Sequence, residues 1–204
     1  MDGRKERGLR SRRLLVEAAL RVVAQDGVGG VTHRAVAKEA GLPPASGTYH
    51  FKSIDDLLVA ALTSSAEEYA EQLRGELDGA DSTADVARRM LRDLYEDRAH
   101  TIACYELTLL AARRPALRPA ARKWTDLIAS VGAGLTGDPL AVKSFTAATD
   151  GLLLHALIAD EPPSEGELTD VLNHVLHKNK AHGNDEAHEA HENNEAHKSK
   201  ARKT

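Results

Sequence analysis

Cysteine is almost missing from this chain: Cys104 stands alone among 204 residues, so no internal disulfide framework can form. Long apolar runs are missing too, and no stretch approaches the roughly 18–20 residues that a membrane span needs. Basic residues open the chain, M-D-G-R-K-E-R-G-L-R-S-R-R, but the hydrophobic region of a secretory signal does not follow them. A soluble, cytoplasmic protein without a membrane partner is the expectation. Aromatics are scarce: two Phe and one Trp argue mildly against a large aromatic cage for planar molecules. Sustained alternation of apolar and polar residues occurs nowhere, which excludes a sheet protein and leaves an all-α chain.

Acidic charge is short in one place. Residues 1–52 hold ten Lys/Arg against five Asp/Glu, a balance of +5, although the whole chain carries −4. Polyanions would be drawn to the first quarter and not to the rest.

Helical periodicity organises most of what remains. Leu14, Leu15, Ala18, Ala19, Val22 and Val23 mark a first helix from about Ser11 to Asp26, and Gly27 suits its C-terminal cap. The basic residues before it read as a loose arm giving weak electrostatic help. Thr32 fits the N-cap of a second helix ending near Ala40-Gly41, and Pro43-Pro44 start a third, since proline suits only a first turn. Ser53 with Asp56 matches a capping box and opens a fourth, whose apolar stripe runs from Ile54 to about Asp78. Some 25 residues make a rod of roughly 37 Å, long enough to join two bodies. Four or five more helices follow, one opened by Asp138-Pro139 and the last by the Ser164/Glu167 capping box. The expected divisions are a head at 1–53, a helical body at 54–177 and a disordered His/Glu/Lys-rich tail at 178–204. That tail holds no aliphatic larger than alanine, so it cannot bury enough to offset its ordering entropy.

Residues 32–51, T-H-R-A-V-A-K-E-A-G-L-P-P-A-S-G-T-Y-H-F, read as two short helices joined by a tight turn. Val36, Ala37, Ala40 and Leu42 face inward. His33, Arg34, Ala45, Ser46, Thr48, Tyr49 and His50 face outward, as a helix-turn-helix that enters a DNA major groove requires. Arg34 has the fork that grips guanine O6 and N7, and Thr32, Thr48, Tyr49, His50 and Lys52 can reach phosphates. Gly47 lowers helix propensity but allows close backbone approach. Plainer roles stay open: surface charge for Arg34, packing for Tyr49, partial burial for His50.

The stretch from Leu14 to Leu58 resembles the DNA-binding domain of TetR-type transcriptional repressors. The carrying residues are G27-V-G-G-V-T32, T32-x-R34-x-V-A37, A40-G41-L42 and Y49-H50-F51-K52-S53. The later D150-G151-L152-L153-L154 run is similar as well. This resemblance implies about nine helices: a three-helix head, a connecting fourth helix and a ligand-binding, dimerising body. It also implies base contacts from Pro44, Ala45 and Ser46. Two positions depart from the family habit: Thr48 stands where Tyr is common and Ile54 where Lys is common. Lys52 is then the candidate for that phosphate contact. Because Pro44, Ala45 and Gly47 offer few hydrogen bonds, water or Arg34 would carry much of the sequence preference.

The eighth helix is apolar almost all round, and only a second subunit could cover its outer face. With the last helix it suggests a four-helix interface formed by Phe145, Leu152, Leu153, Ala156, Leu168, Val171, Leu172 and Val175. Two heads would then address a pseudo-palindromic double-stranded operator. Candidates to line a cavity for a small-molecule effector are Met90, Cys104, Tyr105, Thr108, Trp124 and His155. Ligand binding would swing the heads out of register through the fourth helix.

Rival classes are an enzyme and a helical protein–protein interaction module without specific DNA binding. His100 and Cys104 lie one helical turn apart, but no third group or oxyanion site accompanies them, so no catalytic residue is assigned. His182, His188, His191 and His197 lack metal-site spacing, so neither metal nor cofactor is expected.

Overall fold

Helix caps decide where this chain bends. In the computed structural model, which describes residues 3–77 and 82–176, α1 (Gly3–Asp26) ends at Gly27. Gly27 has φ 68°, and its N–H bonds Val23 O at 2.9 Å. A short 3₁₀ turn (Val28–Gly30) leads to α2 (His33–Glu39), whose N-cap Thr32 accepts the Ala35 N–H at 3.0 Å. After the turn at Gly41 (φ 65°), α3 (Ala45–His50) begins behind Pro44. At the head of α4 (Ile54–Leu77), Ser53 Oγ accepts the Asp56 N–H at 3.0 Å while Asp56 Oδ2 accepts the Ser53 N–H at 3.2 Å. This reciprocal pair is the expected capping box.

The remaining helices are α5 (Thr83–Tyr95), α6 (Arg98–Leu110), α7 (Arg118–Leu135) and α8 (Pro139–Ile158). A ninth, α9, spans residues 165–176. Asp138 caps α8 by accepting the Leu140 N–H at 2.8 Å, and Glu167 accepts the Ser164 N–H at 2.8 Å before α9. The fold is all-α, with no strand among the described residues. No described helix is long and apolar enough to cross a membrane.

One sequence expectation fails at the start. The basic segment is not a loose arm: α1 runs from Gly3 without interruption. Arg, Lys, Glu and Leu are good helix formers, and Arg13 and Glu17 pair one turn apart at 3.4 Å. Apolar periodicity could not detect this stretch because its first two turns bury nothing.

Two apolar cores hold the chain. The first joins α1, α2 and α4 to Ala103 and Leu107 of α6 and to Leu117, Ala120 and Ala121 around the start of α7. It therefore runs straight through residue 53. The second packs Val86, Met90 and Leu94 of α5 against α8 and α9. This arrangement corrects the expected outer faces. Phe145, Leu153, Ala156, Leu168 and Leu172 are buried within their own chain beneath α5, and so is Met90. Leu152 and Val175 are half-buried. Only Val171 of the expected interface set is exposed, and it is joined outside by Leu140, Leu154 and Ile158, the last 77% exposed. An all-apolar helix offers no polar stripe to tell inside from outside, which is why the sequence misassigned the faces.

Candidate nucleic-acid surface and ligand cavity

Gly47 sets the position of α3. A Cβ there would lie 2.8 Å from His33 O and 2.9 Å from His33 Cβ, so only glycine lets the two short helices meet at this depth. The other side of α3 is turned outward. Tyr49 is 84% exposed and stands edge-on to His50, ring centres 4.9 Å apart. Arg34, Pro44, Ala45, Thr48 and Lys52 are exposed, while Ser46 and His50 are half-buried. Two candidates are less available than the sequence suggests. The Thr32 hydroxyl is engaged as a cap, and Nε2 of His33 is buried without a hydrogen-bond partner beside Gly47. Thr48 Oγ also donates its hydrogen to Ala45 O at 3.1 Å, so the hydroxyl has to turn before it can donate to a phosphate.

A further basic residue joins this surface. The Arg12 guanidinium lies 4.8 Å over the Phe51 ring, which brings the basic part of α1 against the exit of α3. Local sequence carries no signal for that contact, because Arg12 and Phe51 are brought together only by the packing of α1 against the end of α3.

In the body, residues of α4 to α8 line a partly open cavity of about 500 Å³. Cys104, Tyr105, Thr108 and Trp124 line it, as the sequence suggested. Met90 and His155 do not: Met90 belongs to the second core, and His155 faces outward from α8. Sequence reasoning missed the most polar part of the wall. Arg89 and Asp93 sit one turn apart on α5, only 6% and 5% exposed, and pair at 2.9 Å. Tyr69 donates to the other Asp93 oxygen at 2.5 Å and stacks obliquely on Trp124 at 4.9 Å. The available signal was the opposite charge of Arg89 and Asp93, four residues apart beside an apolar stripe.

Burial governs the protonation chemistry here. It raises the Asp93 carboxyl against the opposing pull of Tyr69 and Arg89, and it raises Asp150 as well. Burial, reinforced by the Asp93 charge, also keeps the Tyr69 phenol protonated. Glu68, Asp93, Asp97 and Asp150 bring four carboxyl groups to the lining, against Arg89 as the one Lys/Arg. Ser65 stands between the two residues of the enzyme reading, bonding His100 Nε2 at 2.7 Å and Cys104 Sγ at 3.2 Å. Burial pushes the Cys104 thiol up to about 11, so it is not a thiolate nucleophile at neutral pH. The tail histidines His182, His188, His191 and His197 lie outside the described residues.

Comparison with known proteins adds two family matches. Residues 15–61 match the family described as bacterial regulatory proteins, tetR family, and residues 78–178 match the tetracyclin repressor-like C-terminal domain. The multidrug binding protein EbrR, solved with ethidium, is 39% identical at TM-score 0.70 and is covered over 97% of its chain and 81% of this one. It has also been solved with proflavin and with malachite green. A TetR-family member from Streptomyces coelicolor A3 is 38% identical at TM-score 0.71, covering 81% of this chain and 97% of that one. The nicotine-responsive transcriptional repressor HdnoR of Paenarthrobacter nicotinovorans is 28% identical over 109 residues, which span 51% of this chain but only 56% of that repressor.

Proposed function

Because the chain belongs to the TetR family of bacterial regulatory proteins, whose members bind DNA, we propose that it acts as a homodimeric repressor released from its operator by a small molecule. The observation that carries this reading is the outward face of α3, with Tyr49 84% exposed on the cationic end of an acidic protein. Residues 1–53 form the reading head, with Arg34, Pro44, Ala45 and Ser46 toward bases and Thr48, Tyr49, His50 and Lys52 toward phosphates. Residues 54–177 form the effector-binding and dimerising body.

Dimerisation uses the exposed apolar stripe of α8 and α9, Leu140, Leu154, Ile158 and Val171. A two-fold axis there places the heads on half-sites about one helical turn apart. The effector is an organic cation with a flat aromatic part. Four carboxyl groups on the same cavity lining as the Trp124–Tyr69 pair support that class, as do the dyes bound by EbrR. Selection from random duplexes tests the regulator reading. The dimer should enrich a pseudo-palindrome and lose affinity steeply with salt through counterion release. Indifference to duplex sequence would instead favour a protein-interaction module.

A further inference from the structure

The cavity already holds a cation, and it belongs to the chain. The guanidinium carbon of Arg89 lies 4.4 Å from the centre of the Tyr69 ring. Its Nε donates to Asp93 Oδ1 at 3.0 Å, and its Nη2 reaches Gln72 Oε1 at 3.0 Å. Asp93 completes the arrangement by accepting the Tyr69 hydroxyl at 2.5 Å. An aromatic face beside a carboxylate is the pair of features that recognises a planar, delocalised cation. Here both features are filled by a side chain of the protein itself.

We propose that Arg89 is a resident competitor: a cationic effector enters by displacing its guanidinium from Tyr69 and Asp93. This rests on the reading of the cavity as the effector site. The displacement has a mechanical side, since Tyr69 and Gln72 belong to α4 whereas Arg89 and Asp93 belong to α5. Removing the guanidinium from between them releases a crosslink on the helix that leads to the head. It also explains selectivity. A neutral ligand that displaced Arg89 would leave Asp93 buried with the Tyr69 hydroxyl but no cationic partner, which is strongly unfavourable. An anion would meet Glu68, Asp97 and Asp150 as well. Only a cation can take over the role that Arg89 gives up.

The test uses the full chain, ethidium as the cationic probe and neutral phenanthridine as its uncharged relative. Trp124 is the sole tryptophan and lies at the cavity wall, so quenching of its emission reports occupancy directly. Arg89→Met should raise ethidium affinity about tenfold; phenanthridine, spared the same displacement, should gain as well but still bind more weakly, because it brings no charge to Asp93. Arg89→Met combined with Asp93→Asn should lose that gain. If Arg89→Met does not fold, Arg89→Lys carries the test: it keeps the charge but loses the planar stack, and ethidium should bind several-fold more tightly. Unchanged or weaker ethidium binding in the folded variant overturns the competitor role, as does the absence of ethidium binding in every variant. Operator binding by gel shift is scored separately, so a failure of the regulator reading is not confused with a failure of this one.

Discussion

The carboxylate of Glu106, on the helix that lines the cavity, accepts the backbone N–H of Val28 in the turn beyond α1 at 2.6 Å. The same carboxylate lies 3.2 Å from where a Cβ would sit on Gly27, so the turn is closed around it. Cys104, Tyr105 and Thr108 flank Glu106 and line the cavity. The body thus holds the head through α6 as well as through α4.

Glu106→Ala should leave the Val28 N–H without its acceptor and cost about 1–3 kcal/mol of stability. Faster hydrogen exchange at Val28, a lower melting temperature and a smaller effector response are expected together. Glu106→Gln keeps an acceptor oxygen and should restore most of all three. An unchanged exchange rate at Val28 in Glu106→Ala would remove this contact from the coupling.

Gly47→Ala should push α3 away from His33, at a cost of about 1–3 kcal/mol for overpacking. Operator affinity should fall at least tenfold with helix content unchanged by circular dichroism, because the insult is confined to the seat of a six-residue helix. Full operator affinity in this variant would show that the depth of α3 is not critical.

Two head substitutions separate reading from gripping. Arg34→Ala should cost about 1–3 kcal/mol and relax preference at one operator position. Lys52→Ala should weaken all duplexes alike and reduce the salt slope by about 1. Identical selection profiles for the two variants would contradict this division.

Ile158→Glu should dissociate the dimer without unfolding the subunit, since Ile158 is 77% exposed on its own chain. Sedimentation equilibrium measures this. Phe145→Glu is the contrast: that residue is fully buried, and its loss should unfold the subunit itself. A persistent dimer of Ile158→Glu would move the interface elsewhere.

Cys104 gives a pH signature. Burial raises its thiol from the ordinary 9.0 to about 11, so between these values the folded chain keeps a proton that the unfolded chain has released. Stability contributed below pH 9 is therefore lost as pH rises through 11. Tyr69 and Tyr105, both raised, act in the same direction at higher pH. Thiolate absorbance at 240 nm should show a midpoint near 11 in the folded protein and near 9 in denaturant. A single shared midpoint would place the thiol in solvent.

Capping chemistry made the helix order legible, because Thr32, Ser53, Asp138 and Ser164 each announce a start through a bond that depends on local sequence alone. The outward face of α3 was legible for a related reason: Ala45, Thr48 and Tyr49 are poor core residues beside Val36 and Ala37. What stayed hidden was whatever depends on a distant neighbour. The role of Arg89 depends on Tyr69 and Gln72, which α4 supplies from a distant part of the chain. Phe145 looked like an interface residue until α7 closed on it, with Gly132 so near that a Cβ would lie 2.8 Å from the ring. The helical start of α1 was hidden differently, since a helix that buries nothing leaves no periodic trace.

The first apolar core places Leu15 and Val22 of α1 in one cluster with Leu107 of α6 and Leu117 ahead of α7. A graft of residues 1–53 onto a foreign body would expose those side chains to water. It would also strand Val28, whose acceptor stays behind. The first 53 residues of this chain are therefore not a plug-in cartridge. A change of DNA preference in this chain is then expected to proceed by point changes on the outer side of α3, or by a graft that carries α6 along with it.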